Sequence, residues 1–183
     1  VHARGRDFLE REVRLLENLI RNMRADNADR PNYLLRLAET YFEYQLALNV
    51  DVRSFDEPIF QACNVKKDQQ ACAAARQGQK TAEERLEQAR TATNRTYARL
   101  VQDHPDFPRM DEVLFKLAFG LDQMGEVETA RQVYLRLIKD FPESRFIPSA
   151  YLSFAEFYFA ENEASAALQF YSKVLEYPAD RNP

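Results

Sequence analysis

The chain has 183 residues, of which 45% are hydrophobic and 30% are charged, and its formal net charge is −4. This composition is typical of a folded globular protein and excludes an intrinsically disordered one. Only four glycines are present, and Ala, Leu, Glu, Arg and Gln are plentiful, which favours helices over hairpins. Arginines and glutamates are intermixed without a basic block, so we expect no nucleic-acid partner.

No apolar run approaches the roughly 18 residues that suggest a membrane-spanning helix. The most apolar stretch, residues 151–160, is interrupted by Glu156. The sequence opens at Val1, without Met and without a signal-like apolar segment. Either a targeting sequence has been removed or the chain comes from a longer protein, so membrane association through a removed signal or lipid anchor stays open.

Residues 1–30 predict an N-terminal packing helix. Its apolar residues recur at helical spacing within residues 6–24, at Phe8, Val13, Leu16, Ile20 and Met23. Such a stripe is typical of a helix that packs against a neighbour. Arginines on this segment would suit a membrane surface, but interleaved glutamates balance them. The pattern therefore favours packing onto the next unit.

Residues 31–105 predict a pair of helices separated by an insert. The first helix and the second carry Pro31, Leu34, Leu37, Ala38 and Tyr41, and then Tyr97, Leu100 and Pro105. Tyr41 and Tyr97 lie 56 residues apart, whereas the equivalent Leu121 and Tyr134 of the next unit lie 13 apart. About 43 residues are therefore inserted.

The insert spans residues 45–90 approximately. We expect it to lengthen both helices, over 42–50 and 80–101, and to form a cap or loop at their far end over 51–78. Four apolar residues of that loop are expected to fold back onto the helices, namely Phe55, Pro58, Ile59 and Phe60.

Both cysteines, Cys63 and Cys72, lie within the expected loop. They could be two free thiols or half of a zinc site, but zinc usually takes four ligands, and neither His2 nor His104 has a ligand-like spacing. A disulfide fits better and would stabilise the fold by about 2–3 kcal/mol. It would place the chain in an oxidising compartment, namely the periplasm, cell surface or secretory lumen. The cytoplasm is the alternative.

Residues 106–147 and 148–183 predict two further helix pairs, because one pattern occurs in both at a shift of 37 residues. The matched positions are Leu114 with Tyr151, Leu117 with Phe154, Ala118 with Ala155, Leu121 with Tyr158, Ala130 with Ala167, Tyr134 with Tyr171, and Leu137 with Val174. The alanines allow close helix approach while the larger residues interlock. Gly125 and Asn162 occupy the turns, and both tolerate left-handed backbone.

This pattern resembles the tetratricopeptide-repeat (TPR) family. The unit from Asp111 matches the family pattern at Leu114, Leu117, Ala118, Leu121, Ala130, Tyr134 and Pro142. The resemblance implies an all-α fold, a right-handed α-solenoid of antiparallel helix pairs. Here it would include an N-terminal helix and an extended first repeat that bears the insert.

In the TPR family, the first helix of each pair lines a concave partner-binding face. Carried over, nine of its positions are Leu35, Glu39, Phe42, Phe115, Phe119, Asp122, Leu152, Glu156 and Phe159, with Asn32, Glu112 and Ser149 beside them. The basic clamp with which some TPR proteins hold a C-terminal carboxylate is missing. An apolar groove edged with acids suits an amphipathic helix or extended segment with some positive charge. Alternatively, the phenylalanines simply pack against neighbouring helices.

No residue pattern points to catalysis, a cofactor or a metal. The motifs GxxxxGK[ST], GxGxxG, GxSxG and HExxH do not occur. Glu39 and Glu43 lie one helical turn apart, but a di-metal bundle would also need Glu-x-x-His motifs. We expect a protein that is not an enzyme and that binds another protein or a peptide.

The junction at residues 140–151 and the Phe-Ala-Glu-Phe-Tyr that follows resemble bacterial cell-envelope TPR proteins. These include the outer-membrane lipoprotein of the β-barrel assembly machine and the Tol-associated periplasmic coordinator. The Phe-Asp-Glu-Pro-Ile-Phe segment is similar to myxobacterial TPR proteins, some linked to gliding motility. The resemblance implies an adaptor in an envelope complex for motility, secretion or outer-membrane assembly. The alternative is a structural spacer or dimerisation module without a peptide-binding groove.

The last helix, at about residues 163–176, has more apolar surface than one partner helix needs. The residues after it resemble a junction between repeats. We therefore expect a longer protein, in which Phe170 contacts another chain or a following helix.

Overall fold

The computed structural model describes residues 2–178, with side chains from residue 5 onward. Its elements are α1 His2–Asn22, α2 Arg30–Arg53, α3 Asp56–Phe60, a π-helical turn Gln61–Val65, α4 Gln69–Asp103, α5 Met110–Gln123, α6 Val127–Asp140, α7 Ile147–Ala160 and α8 Ala164–Leu175. No strand occurs in the described part, and the all-α class is confirmed. The chain divides into two compact units after Leu100. The end of the expected 148–183 unit lies outside the described residues.

In the second unit, consecutive helices pack in sequence order: α5 on α6, α6 on α7 and α7 on α8. Both matched helix pairs bury small residues at most 2% exposed, namely Ala118, Ala130, Ala155 and Ala167. Because a methyl group takes little space, the helices approach closely and larger side chains interlock around it. Tyr134 of α6 is one of these, with its ring centroid 6.3 Å from that of Phe154 on α7.

The turns inside both helix pairs have the same backbone conformation. Gly125 has φ of 77° and Asn162 has φ of 61°, so the predicted left-handed positions are confirmed. In each turn the next amide donates to a carbonyl five residues back, Glu126 to Leu121 at 2.9 Å and Glu163 to Tyr158 at 2.8 Å. These bonds satisfy carbonyls that the helix end would leave unpaired.

In the first unit, α1 packs on α2 through a narrower apolar face than the sequence predicted. Val13 and Ile20 are buried, but Phe8 is exposed, so the prediction that Phe8 belongs to that face is wrong. At 100° per residue, Phe8 lies about 140° around the helix from Val13. Arg30 is buried and donates to the carbonyls of Ile20 and Met23 at 2.9 and 2.8 Å, which caps the end of α1.

The lengthened parts of α2 and α4 are held together by an apolar cluster of Leu48, Leu86 and Ala89, with Tyr44 and Val52 against it. One polar link lies beside the cluster. Gln45 of α2 donates to the Thr93 hydroxyl, which in turn donates to the Ala89 carbonyl at 2.9 Å. Thr93 replaces the alanine of the other units, and these bonds satisfy its buried hydroxyl.

The segment expected to form a cap or loop, residues 51–78, is mostly helical, so a loop there is wrong. α2 continues to Arg53, and α4 begins at Gln69 rather than near Lys80. The reason is a helix start in the sequence: the Asp68 carboxylate accepts the Ala71 amide hydrogen at 3.0 Å, and good helix formers follow.

The remaining connection is short and closely packed. Cys63 in the π-helical turn and Cys72 in the first turns of α4 form a disulfide, with their Cα atoms 4.9 Å apart. Phe55 packs directly on α4 at Gly78, where an added Cβ would lie 2.5 Å from the ring. Of the other apolar residues expected to fold back, Ile59 is half-buried but Pro58 and Phe60 are exposed.

Phe170 of α8 is half-buried and packs against α7, and its expected contact with another chain or a following helix stays a prediction. Its ring lies 5.1 Å from Phe154 and 5.4 Å from Tyr158, both on α7 and both near-parallel to it. The apolar side chains that α8 exposes are instead Leu168 and Leu175, at 67% and 78%. They lie seven residues apart and thus on one helix face.

Candidate functional site

On α2, the expected binding face begins further along the helix than predicted. Leu35 is only 2% exposed, so its assignment to a partner surface is wrong. Leu34, Leu35, Leu37 and Ala38 are all buried, and at 100° per residue they cover about 160° of the helix circumference. This wide apolar face of α2 is therefore enclosed by its neighbours. Glu39 is half-buried.

Beyond Glu39, α2 exposes an apolar stripe. Phe42, Leu46 and Val50 are 40%, 56% and 43% exposed, and their spacing of four residues places them on one face. Of these three, only Phe42 was predicted, because the family pattern ends there. The i, i+4, i+8 recurrence of apolar residues was the signal that could have identified the other two.

On α5, the three expected site residues differ in environment. The ring of half-buried Phe115 stacks 4.8 Å from Phe146, so Phe115 belongs largely to the packing of the unit. Phe119 is 41% exposed and its ring lies 6.5 Å from that of Phe115. Asp122 is exposed one turn further on. Phe119 and Asp122 are thus accessible to a partner, on a helix that Phe115 anchors.

On α7, Leu152, Glu156 and Phe159 follow one another at spacings of four and three residues and share one helix face. Leu152 is half-buried, Glu156 is exposed, and Phe159 is 68% exposed. Phe159 is the most exposed of the expected phenylalanines. The alternative that all four phenylalanines merely pack against neighbouring helices fits Phe115 but not Phe119 or Phe159.

Glu112, which precedes Phe115 and Phe119 on α5, has a structural role. It is 8% exposed, and its carboxylate accepts hydrogen bonds from Lys116 at 2.7 Å and Arg109 at 2.8 Å. Burial opposes ionisation of Glu112, but the bonds from Lys116 and Arg109 outweigh it and hold its pKa below the usual range. Glu112 is therefore ionised and already engaged at neutral pH.

A second buried contact fixes the junction before α7. The Ser144 hydroxyl donates to the Asp111 carboxylate at 2.7 Å and accepts the Phe146 amide hydrogen at 3.2 Å. These bonds hold Phe146 where Phe115 stacks on it. The exposed residues of α5 and α7 consequently lie on a rigid support.

Within residues 2–178, no group of three or more His, Cys, Asp or Glu side chains is arranged to hold a metal ion. Glu43, one of the carboxylates considered for such a site, lies 3.7 Å from Arg36, which also pairs with Glu12 at 2.6 Å. No helix of the described part is both long and apolar enough to cross a membrane.

We predict that Glu112→Gln lowers the free energy of unfolding by about 1–2 kcal/mol at pH 7, because two charge-assisted hydrogen bonds are weakened. A depressed folded-state pKa stabilises above the unfolded pKa, and this contribution is lost as pH falls through the folded value. The difference from wild type should shrink below about pH 4. Urea unfolding at pH 7 and pH 3 measures it.

The control is Glu128→Gln, which removes an exposed pair with Arg131 and should cost at most about 0.5 kcal/mol at either pH. Equal losses for the two variants at pH 7 would contradict the structural role of Glu112.

A family model described as tetratricopeptide repeat matches residues 112–144. The matched segment runs from α5 through α6 to Ser144. Neither curated proteins nor solved structures give a match to the chain. The family match supports the TPR resemblance of the helix-pair pattern, and TPR repeats generally mediate contacts between proteins.

Proposed function

We propose that this protein is a non-catalytic scaffold that binds another protein or a peptide through the exposed apolar side chains of α5 and α7. The observation that carries the proposal is the exposure of Phe119 and Phe159, at 41% and 68%, on helices whose opposite faces are fixed in the core. Buried aromatic side chains contribute much of the free energy of protein association. Rigid support lowers the entropic cost of binding through them.

The charges beside these phenylalanines indicate the chemistry of the partner. Asp122 and Glu156 are exposed next to Phe119 and Phe159 and make no ion pair within the described residues. A partner segment with apolar residues on one side and Lys or Arg at its edge would satisfy both features. An amphipathic helix or an extended strand of that composition fits.

The second candidate function is a spacer or dimerisation module, and the exposed Leu168 and Leu175 of α8 favour it. Two leucines on one face of a helix are suited to pairing with the same helix of a second copy. This candidate requires self-association in solution and leaves Phe119 and Phe159 without a role.

The proposed location is the periplasm or cell envelope, where the protein would act as an adaptor in a motility, secretion or outer-membrane assembly complex. The support is the Cys63–Cys72 disulfide, because such bonds persist in oxidising compartments and are rare in the cytoplasm. The cytoplasm is the alternative.

We predict that Phe119→Ala with Phe159→Ala abolishes capture of a specific partner from a bacterial envelope fraction. Truncating two interface aromatics should weaken binding by about 30-fold or more. Capture by wild type and variant is compared by quantitative mass spectrometry, with light scattering to measure the oligomeric state.

The control is Leu15→Ala with Leu135→Ala, which removes two exposed leucines elsewhere and should preserve capture. Equal capture by all three proteins would contradict the proposal. A dimer that Leu168→Ser disrupts, without any partner that depends on the phenylalanines, would favour the dimerisation module.

From the proposed location, we predict that the protein, isolated in its native state with thiols blocked at lysis, contains no alkylatable cysteine until it is reduced. Intact mass under denaturing conditions, before and after reduction, measures this. Two alkylated cysteines in the unreduced sample would contradict an oxidising compartment.

A further inference from the structure

A groove in the first unit lies between α1 and α4, with α2 as its floor. It consists of two cavities of about 520 and 440 Å³ that share Tyr41 and Ala92 as lining residues. The floor residues of α2 are Leu34, Leu37, Tyr41 and Tyr44. Ala89 and Ala92 of α4 keep the groove open, because their short side chains do not fill it.

This groove is separate from the exposed stripe of α2. At 100° per residue, Tyr41 and Tyr44 lie on the side of the helix opposite Phe42 and Leu46. A ligand in the groove would therefore leave Phe42 and Leu46 uncovered. The groove carries an inference beyond the proposed function.

Arginines outnumber acids along the groove, in a chain whose net charge is −4. Six arginines line it, Arg6, Arg21, Arg30, Arg85, Arg95 and Arg99, against two acids, Glu10 and Glu17. A concave surface of one charge concentrates the field and attracts ligands of opposite charge. The sequence did not reveal it, because the arginines come from helices far apart in the chain and alternate with glutamates.

The arginines of the groove form two sets, one with structural roles and one that is available to a ligand. Arg6 bridges to Asp51 at 2.8 Å, and Arg30 caps α1, so both have structural tasks. Arg21, Arg85 and Arg95 are exposed and make no ion pair or hydrogen bond with another described residue. They are the side chains that can reach a ligand.

The pKa values of two tyrosines on the groove floor are affected by the arginines that line it. Burial and the hydrogen bond to Glu17, at 2.5 Å, raise the pKa of Tyr41, whereas the charge of Arg95 acts in the opposite direction. Burial and the charge of Glu10 raise the pKa of Tyr44, whereas the charges of Arg6 and Arg85 oppose that shift. Arg95 and Arg85 are thus close enough to the floor to act on a ligand there.

The length of the groove fits a peptide. Arg85 and Arg99 lie fourteen residues apart on α4, or about 21 Å along the helix axis. A helical peptide of about 14 residues spans the same distance, with acidic residues placed to meet Arg85 near one end and Arg95 towards the other. Nucleic acid fits less well, because its phosphates are continuous, whereas a peptide can place neutral residues beside Glu10 and Glu17.

We propose that the α1–α4 groove binds an acidic protein segment, which would allow the scaffold to hold a second partner independently of Phe119 and Phe159. Carboxylates of the segment pair with Arg21, Arg85 and Arg95, and its apolar side chains cover Tyr41 and Tyr44. Arginine pairs with carboxylates through strong, often bidentate, hydrogen bonds.

The probe is a fluorescein-labelled 15-residue alanine-based peptide with glutamates four and three residues apart, titrated with the full chain and followed by anisotropy. Saturable binding is expected, and Arg85→Glu with Arg95→Glu should weaken it at least about tenfold. Arg21→Glu, on the other wall, should weaken it as well. The Phe119→Ala, Phe159→Ala variant should bind the probe like wild type, so this test is independent of the proposed function.

The matched control is Arg11→Glu with Arg76→Glu, which reverses two exposed charges outside the groove and should change affinity by no more than about twofold. Three results would overturn the proposal: no saturable binding by wild type, equal losses in the groove and control variants, or equal binding of the peptide with Gln in place of Glu. Tighter, equally groove-dependent binding of a 15-nucleotide single strand would identify a nucleic-acid site and also overturn it.

Discussion

The close approach of paired helices, set by a buried alanine on each helix, is the constraint on which the second unit depends. Ala118 and Ala130 in one pair, and Ala155 and Ala167 in the next, are almost fully buried. A larger side chain there would separate the helices and displace the aromatic rings packed around them. Because one face of α5 and of α7 is fixed in this way, the face with Phe119 and Phe159 remains accessible on a support that does not need to reorganise when a partner binds.

In the first unit, the paired helices pack together in a different way. Thr93 replaces the alanine, and its buried hydroxyl is satisfied by Gln45 and a carbonyl. The lengthened helices then need an anchor at their far end, which the disulfide and the Phe55–Gly78 contact supply. This lengthening has a consequence for binding: α4 continues alongside α1, and the arginine-lined groove lies between them.

The sequence predicted the second unit well, because both of its helix pairs pack in the same way and therefore show the same residue pattern. The alanines, Gly125 and Asn162 are each required by local geometry, and a local requirement is visible in a single chain. The insert was predicted poorly, since the helix start at Asp68 was not recognised as a cap. Leu35 was misassigned for another reason. The burial of a residue depends on which helices surround it. The family pattern places the residue on its own helix but does not show which other helices surround that position.

The measurement that tests the central claim most directly compares Ala118→Leu with Ala160→Leu by urea unfolding, followed by circular dichroism. Ala118 is fully buried between helices, whereas Ala160 is exposed at the end of α7. If close helix approach supports the second unit, Ala118→Leu should lower the free energy of unfolding by about 1–3 kcal/mol. Ala160→Leu should change it by no more than about 0.5 kcal/mol. Equal stability of the two variants would contradict the claim.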